Sequence, residues 1–329
     1  MQNYKPLLDL LETEVAIKYV KDNFEKILGK DLHLTRVSAP LFVVPETGLN
    51  DNLNGYERAV KFDIKDLGKD VEIVQSLAKW KRNALKKYGF KPETGLYTDM
   101  NAIRRDEDID CIHSVYVDQW DWEKIITKEE RTYEYLQKTV KTIYKSLVKL
   151  SKLVTKKYPQ ITFDLPKDIT FVSTKDLEEM YPTLTRKQRE DAFAKEKKAI
   201  FVYQIGWPLK DGAPHDGRAA DYDDWNLNGD IVLWNEVLEK AYEISSMGIR
   251  VDEESLVKQI IERKEEFKLD NPYCKNILAK ELPYTIGGGI GQSRLCMFFL
   301  KKAHIGEVQA SVWAEKDIEE LEKQGIHLL

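Results

Sequence analysis

The chain has 329 residues, 42% hydrophobic and 33% charged, with a net charge of −5. That length suits one large domain or two small ones, and the acid excess argues against nucleic acid as the main partner while allowing a local basic pocket. No stretch reaches the ~18 uncharged apolar residues of a membrane span, the opening "MQNYKPLLDLLETE" lacks a signal-like pattern, and Cys111, Cys274 and Cys296 are scattered, so no membrane, zinc site or disulfide framework is expected and the default setting is cytoplasmic.

Residues 12 to 28 carry Val15, Tyr19, Val20, Phe24 and Ile27 at helical spacing, up to Gly29. "LHLTRVSAPLFVV" alternates like one strand, with Pro40 marking an edge or bend. "VEIVQS" reads as a short strand into the helix "LAKWKRNALKKYG". "GLYTDMNAIR" and "HSVYVDQWDWE" read as a strand pair across a charged turn, and residues 128 to 157 as a long amphipathic helix. Further strands are expected at "ITFVS", "AIFVYQIG", "NGDIVLW" and "YEISSMGIRV", with helices at 185–197, 253–265 and 271–281. Strands in hairpin-like runs favour an α+β fold, a mainly antiparallel sheet flanked by helices. No Pro/Gly/Ser linker divides the chain, so residues 1–329 are read as one domain.

"TIGGGIGQSRLCMFFL" has the look of a nucleotide-binding glycine loop, yet it fits neither the dinucleotide fingerprint nor the P-loop. It reads as G-x-G-x-x-R opening an apolar helix, which is either an anion-receiving helix start or a tight turn with a solvated arginine. Four other segments put charge into apolar strand contexts, where it is costly unless paired or used. They hold Ser76, Lys79 and Lys81; Arg104; Asp118, Gln119 and Asp121 among Trp120 and Trp122; and Asp230, Glu243, Ser245, Ser246 and Arg250.

Together "NDNLNG", "SLAKWKR", "GLYTDMNAIR", "HSVYVDQWDWE", "DYDDW", "LNGDI", "EISSMGIRV" and "TIGGGIGQSRL" resemble the ammonia-dependent asparagine synthetases over nearly the whole chain. That family in turn resembles the catalytic core of class II aspartyl- and asparaginyl-tRNA synthetases. "GGGIGQSR" is similar to the third class II motif and "NAIRRDE" to the second. The helix and strand ending at Pro40 are similar to the first, a dimer-forming element, which implies a homodimer. "DYDDWNLNGDI" lacks an insertion that many relatives carry, and "QIGWPLKDGAPHDGRAAD" departs in detail, so Trp207 and His215 receive no role.

The resemblance implies a ligase that converts aspartate, ATP and ammonia to asparagine through a β-aspartyl-adenylate, releasing AMP and pyrophosphate. Arg104, Lys81 and Asp121 are its implied catalytic residues, with Arg104 on the α-phosphate and Arg294 on the outer phosphates or stacked on adenine. Ser114, Gly289 and Gly291 complete the implied ATP contacts, and Asp230 with Glu243 would hold Mg²⁺. For aspartate, Lys81 and Arg250 would clamp one carboxylate, Asp51, Gln119 and Asp121 would take the ammonium, and Ser76 and Ser246 would add hydrogen bonds. A stand-alone tRNA synthetase would need an anticodon-binding module, for which the chain has neither the length nor a basic domain.

Overall fold

A computed structural model describes residues 4–51, 53 and 57–329. Helix α1 (Leu10–Leu32) starts at a capping box in which Asp9 and Glu12 satisfy each other's backbone N–H groups. It buries Ala16, Val20, Phe24 and Leu28, four residues apart on one face. Strands β1 (Leu34–Arg36), β2 (Phe42–Val43), β3 (Lys61–Ile64) and β4 (Lys69–Ile73) follow, then α2 (Ala78–Tyr88). Next come β5 (Gly95–Ile103), β6 (Tyr116–Ile125) and α3 (Tyr133–Lys157), whose first turn is capped by the Thr132 side chain. The chain continues through β7 (Thr170–Ser173), α4 (Thr174–Met180), α5 (Arg186–Lys197), β8 (Ala199–Tyr203), β9 (Asp223–Asn235) and β10 (Lys240–Arg250). It ends with α6 (Glu253–Arg263), α7 (Pro272–Leu278), β11 (Thr285–Gly291), α8 (Gln292–Phe299) and α9 (Glu315–Lys323).

Among the described residues these strands form an eight-stranded sheet in the order β1-β5-β6-β11-β10-β9-β8-β7 and a three-stranded sheet β2-β4-β3. The large sheet is mixed. Its inner pairs are antiparallel as expected, but β1 runs parallel to β5 and β7 parallel to β8. The single strand expected over "LHLTRVSAPLFVV" is divided: β1 joins the edge of the large sheet, β2 joins the small one, and Pro40 lies between. Proline has no N–H for a ladder, so a chain passing between sheets is a natural place for it.

One face of the large sheet packs on α1, α3 and α8, where Trp120 meets Phe24 with ring centroids 5.2 Å apart. Period-2 alternation then sends Gln119, Asp121 and Glu123 of β6 to the opposite face. "TIGGGIG" is a strand, not a loop, and none of its glycines has a positive φ. Their purpose is close approach: a Cβ on Gly287 would lie 2.2 Å from Glu123 Oε2 and 2.7 Å from Arg250 Nη2, and one on Gly289 would lie 2.4 Å from Gln119 Oε1.

Gly287→Ala is therefore expected to drive Glu123 and Arg250 apart. The destabilisation should be about 3 kcal/mol or more, the order for breaking a buried ion pair, measured by urea unfolding. A loss below 1 kcal/mol would contradict this account of the strand.

Candidate active site

The free face of the sheet carries a cleft of about 390 Å³. Thirteen of the fourteen site residues expected from sequence line it: Asp51, Ser76, Lys81, Arg104, Ser114, Gln119, Asp121, Glu243, Ser246, Arg250, Gly289, Gly291 and Arg294. Asp230 stands one step behind, ion-paired with Arg218, which does line the cleft. A β-bulge between Glu243 and Ser245 matters here. Strict alternation would put Glu243 and Ser246 on opposite faces; the extra residue turns both toward the cleft.

At one end are the cations Lys81 and Arg250. Lys81 donates from Nζ to Asp121 Oδ1 (2.6 Å) and to the Gly288 carbonyl (3.1 Å). "KWKR" is thus no solvated basic face: Lys79, Lys81 and Arg82 are all buried, with Lys79 2.5 Å from Asp221 and Arg82 donating to the Pro283 and Val251 carbonyls. Arg250 forks onto Glu123 through Nε and Nη2 (3.0 and 2.8 Å) and reaches Asp223 through Nη1. Both clamp cations thus carry resident counter-ions. Burial would raise the Glu123 pKa, but Arg250 and Lys81 hold it below the ordinary carboxylate range. Oδ2 of Asp121 and Oδ2 of Asp51 are buried without partners, so each has an acceptor to offer to an ammonium group.

The other end gathers phosphate-type chemistry. Among the described residues Arg104 has a buried Nε without a partner and a loose contact to Glu107 (3.9 Å). Arg294 reaches Glu243 at 3.5 Å from the first turn of α8, so the glycine–arginine segment does face the cleft. Asp230 and Glu243 lie on neighbouring strands, as expected. Burial pushes Asp230 up to about 7; Arg218 pulls it down and Glu243 pushes it further up. Burial works on Glu243 as well, but Arg294 and Arg218 hold it low. Ser114 bonds to Ser311 (3.1 Å) and accepts from the Tyr116 N–H, so its position is tied to the C-terminal segment.

The whole is a two-ended cleft, with Lys81, Arg250 and the open oxygens of Asp51 and Asp121 at one end and Arg104 and Arg294 at the other, on a mixed sheet with glycines at its centre. A profile of the family described as aspartate-ammonia ligase matches residues 11–325. The chain belongs to the aspartate–ammonia ligase family. It is similar to the aspartate–ammonia ligase of Ruminiclostridium cellulolyticum, 62% identical over 329 residues that cover 100% of this chain and 98% of the relative. It is also 59% identical to that of Clostridium tetani, with 100% and 96% covered. Among solved structures, asparaginyl-tRNA synthetase from Pyrococcus horikoshii complexed with asparaginyl-adenylate matches with a TM-score of 0.66 at 16% identity, covering 90% of this chain and 68% of that one. Aspartyl-tRNA synthetase from Entamoeba histolytica matches at 0.58 and 16%, covering 90% and 58%. At such identities the likeness shows the fold, a class II synthetase core.

Several residues that hold the cleft together were not marked by the sequence. Glu123 and Asp223 hold Arg250, and Arg218 holds Asp230. Asp118, grouped above with Gln119 and Asp121, is on the helix face: it accepts from Lys21 (3.0 Å) and from the N–H and hydroxyl of Ser293 at the start of α8. Strand alternation separates it from Gln119 and Asp121, and that signal was available in the sequence. Asp223 lies within the quoted "DYDDW", but its pairing with Arg250, like that of Arg218 with Asp230, had no local signal, since partners 27 and 12 residues away are set by folding alone. His215 points away from the chemistry, toward Glu190 on α5 (2.9 Å). Of "NDNLNG", Asn52, Asn54 and Gly55 lie outside the described residues.

Burial, with Asp221 nearby, raises Asp51 from 3.8 to about 6, against the opposing pull of Lys79. A carboxyl that binds its proton more tightly when folded costs stability once it ionises, so the cost is full above about pH 6 and vanishes below the unfolded value of 3.8. Asp51→Asn keeps the oxygen that accepts from the Leu53 N–H (3.2 Å) and removes the charge. It should stabilise the protein at pH 8 by up to about 3 kcal/mol in urea melts, with the gain gone near pH 4. A variant less stable than the parent at pH 8 would refute this.

Proposed function

We propose that this chain makes asparagine from aspartate, ammonia and ATP through a β-aspartyl-adenylate, with AMP and pyrophosphate as co-products. The observation that carries the reading is the pairing, within one cleft, of Arg104 and Arg294 at one end with Lys81, Arg250, Asp51 and Asp121 at the other. A carboxylate and a triphosphate repel each other, so attack at the α-phosphorus needs fixed cations between them. Guanidinium groups never lose their charge and fork onto phosphate oxygens, which suits Arg104 to the α-phosphate and Arg294 to the outer phosphates or the adenine face.

The β-carboxylate oxygen of aspartate attacks the α-phosphorus, and pyrophosphate leaves with the electron pair of the broken P–O bond. The ammonia nitrogen then attacks the acyl carbon, AMP leaves with the C–O electron pair, and the new C–N bond sheds a proton. Aspartate lies with its α-carboxylate toward Lys81 and Arg250. Its ammonium takes the unpartnered oxygens of Asp51 and Asp121, with Gln119 alongside, and Ser76 and Ser246 complete the contacts. This end-for-end placement leaves the β-carboxylate facing Arg104.

Asp230 and Glu243 fit Mg²⁺, which keeps several waters and takes one or two carboxylates plus phosphate oxygens. In the resting protein Arg218 holds Asp230 and Arg294 lies near Glu243, so Mg²⁺ would take the place of these arginines on the two carboxylates. Mg²⁺ would neutralise the triphosphate there; Ser114, Gly289 and Gly291 line the nucleotide's part of the cleft. We place the enzyme in the cytoplasm and read it as a homodimer, the second reading supported by Leu10, Leu11 and Val15, exposed along α1.

With aspartate, ATP and Mg²⁺ but no ammonia, labelled pyrophosphate should exchange into ATP. Arg104→Ala should slow that exchange roughly 10²-fold, lowering kcat and kcat/KM together. ADP and phosphate as products would overturn the adenylate reading.

The nitrogen donor should be ammonia. Glutamine use needs an activated nucleophile, commonly a low-pKa cysteine, yet burial raises Cys111 and pushes Cys274 and Cys296 up to about 12. Replacing all three with Ser or Ala should leave ammonia-dependent synthesis largely intact. Glutamine supporting turnover as well as ammonium at equal nitrogen would refute this.

A further inference from the structure

A second cavity, of about 560 Å³, adjoins the active-site cleft. Glu57 lines both. The new cavity is otherwise walled by Asn50, Arg58, Ala59, Lys61, Glu72, Gln75 and Arg105, none of which has a role in the reaction as described above. We infer that this cavity receives ammonium and delivers the nitrogen to the acyl carbon through the junction at Glu57.

Three observations support that route. Gln75 is only 1% exposed, yet among the described residues neither its amide oxygen nor its amide nitrogen has a hydrogen-bond partner. A buried primary amide left wholly unpaired costs ~1–3 kcal/mol per group, so its presence calls for a ligand. At the junction the Glu57 Oε2 atom is also buried and, among the described residues, unpartnered. Ammonium has four N–H donors and no acceptor, so the unpaired oxygens of Gln75 and Glu57 match it.

The second observation is position. The Ile103 N–H donates to the Val74 carbonyl (3.3 Å), which sets Gln75 beside Arg104 at the end of β5. Asn50 Oδ1 accepts from the Gln75 N–H (2.9 Å), which sets it beside Asp51 as well. The cavity therefore flanks the point where the β-carboxyl is activated.

The third is charge. Arg58 is engaged by Asp106 and Lys61 by Glu72 (3.1 Å), so two of the three cations on the wall are neutralised by their own partners, and the third, Arg105, is exposed to solvent. A carboxylate at the inner junction disfavours pyrophosphate and favours a cation.

The order of events makes a separate route useful. The adenylate forms first, and nucleotide then fills the main cleft when nitrogen is needed. At neutral pH the nitrogen arrives mostly as ammonium and must lose one proton before attack; the Glu57 carboxylate at the junction is the acceptor for it. The inference rests on the proposed ligase activity but is separable from it, because pyrophosphate exchange needs aspartate and ATP and no nitrogen.

Gln75→Leu, which replaces an unpaired amide with a group of similar size, should raise the KM for ammonium at least tenfold. Gln75→Glu, which strengthens the acceptor, should lower it severalfold. Both should keep aspartate-dependent pyrophosphate exchange and the aspartate KM within twofold of the parent. An unchanged ammonium KM in Gln75→Glu would overturn the route whether or not the leucine variant folds, and so would exchange that falls in step with the ammonium KM. A parent enzyme without exchange would instead overturn the ligase reading itself.

Discussion

The site hangs on one buried arginine. Arg250 is 2% exposed, at the end of β10, and only its pairing with Glu123 and Asp223 makes a charge tolerable there. Each partner is itself held. Thr285 donates to Glu123 (2.7 Å), while Gln259 of α6 clamps the backbone around Asp223 with bonds to Ala220, Asp223 and Trp225. Arg131, just before α3, donates to the Arg250 carbonyl and pairs with Asp224 and Asp252. The fork from Arg250 to Glu123 crosses directly over Gly287, so a bare strand between β6 and β10 is a geometric requirement of the ion pair.

The charged groups of the cleft share this economy of pairing. Lys81 rests on Asp121, Arg218 on Asp230, and Arg294 leans on Glu243. A site for a zwitterion and a polyanion needs many fixed charges, and in the resting protein they neutralise one another in place of substrate. What remains unsatisfied is correspondingly informative. Asp51, Asp121, Arg104 and Arg218 each keep a buried polar atom without a partner, on the cleft wall. These are the atoms with bonding capacity to spare when substrates arrive.

The Arg294 end of the cleft is anchored from behind the sheet. Asp118 ties α1, through Lys21, to the first turn of α8, through Ser293, the residue next to Arg294. A carboxylate at a helix start is favoured by the orphan N–H groups there, so Asp118 fixes the end of the helix that aims Arg294. Along β6, Trp120 and Trp122 pack into the scaffold, whereas Gln119 and Asp121 line the cleft.

Local signals in the sequence determined much of this protein. Helical spacing marked α1, α2, α3 and α5, period-2 runs marked the inner strands, and the charged residues lodged in those runs marked Lys81, Arg104, Asp121, Glu243 and Arg250 of the cleft. These features depend on neighbours a few residues apart, which is why they were legible. The tertiary structure alone decided the rest. It turned an apparent glycine loop into a central strand, because the need for glycine came from Glu123, 164 positions before Gly287, and from no local turn. It split the run at Pro40 between two sheets, made both edge pairs parallel, and used a bulge to bring Glu243 to the same face as Ser246. It also chose the counter-ions: no spacing rule connects Arg250 to Glu123 or Lys81 to Asp121. Long-range pairings of buried charge are selected by which strands lie side by side, and that is settled only when the sheet closes.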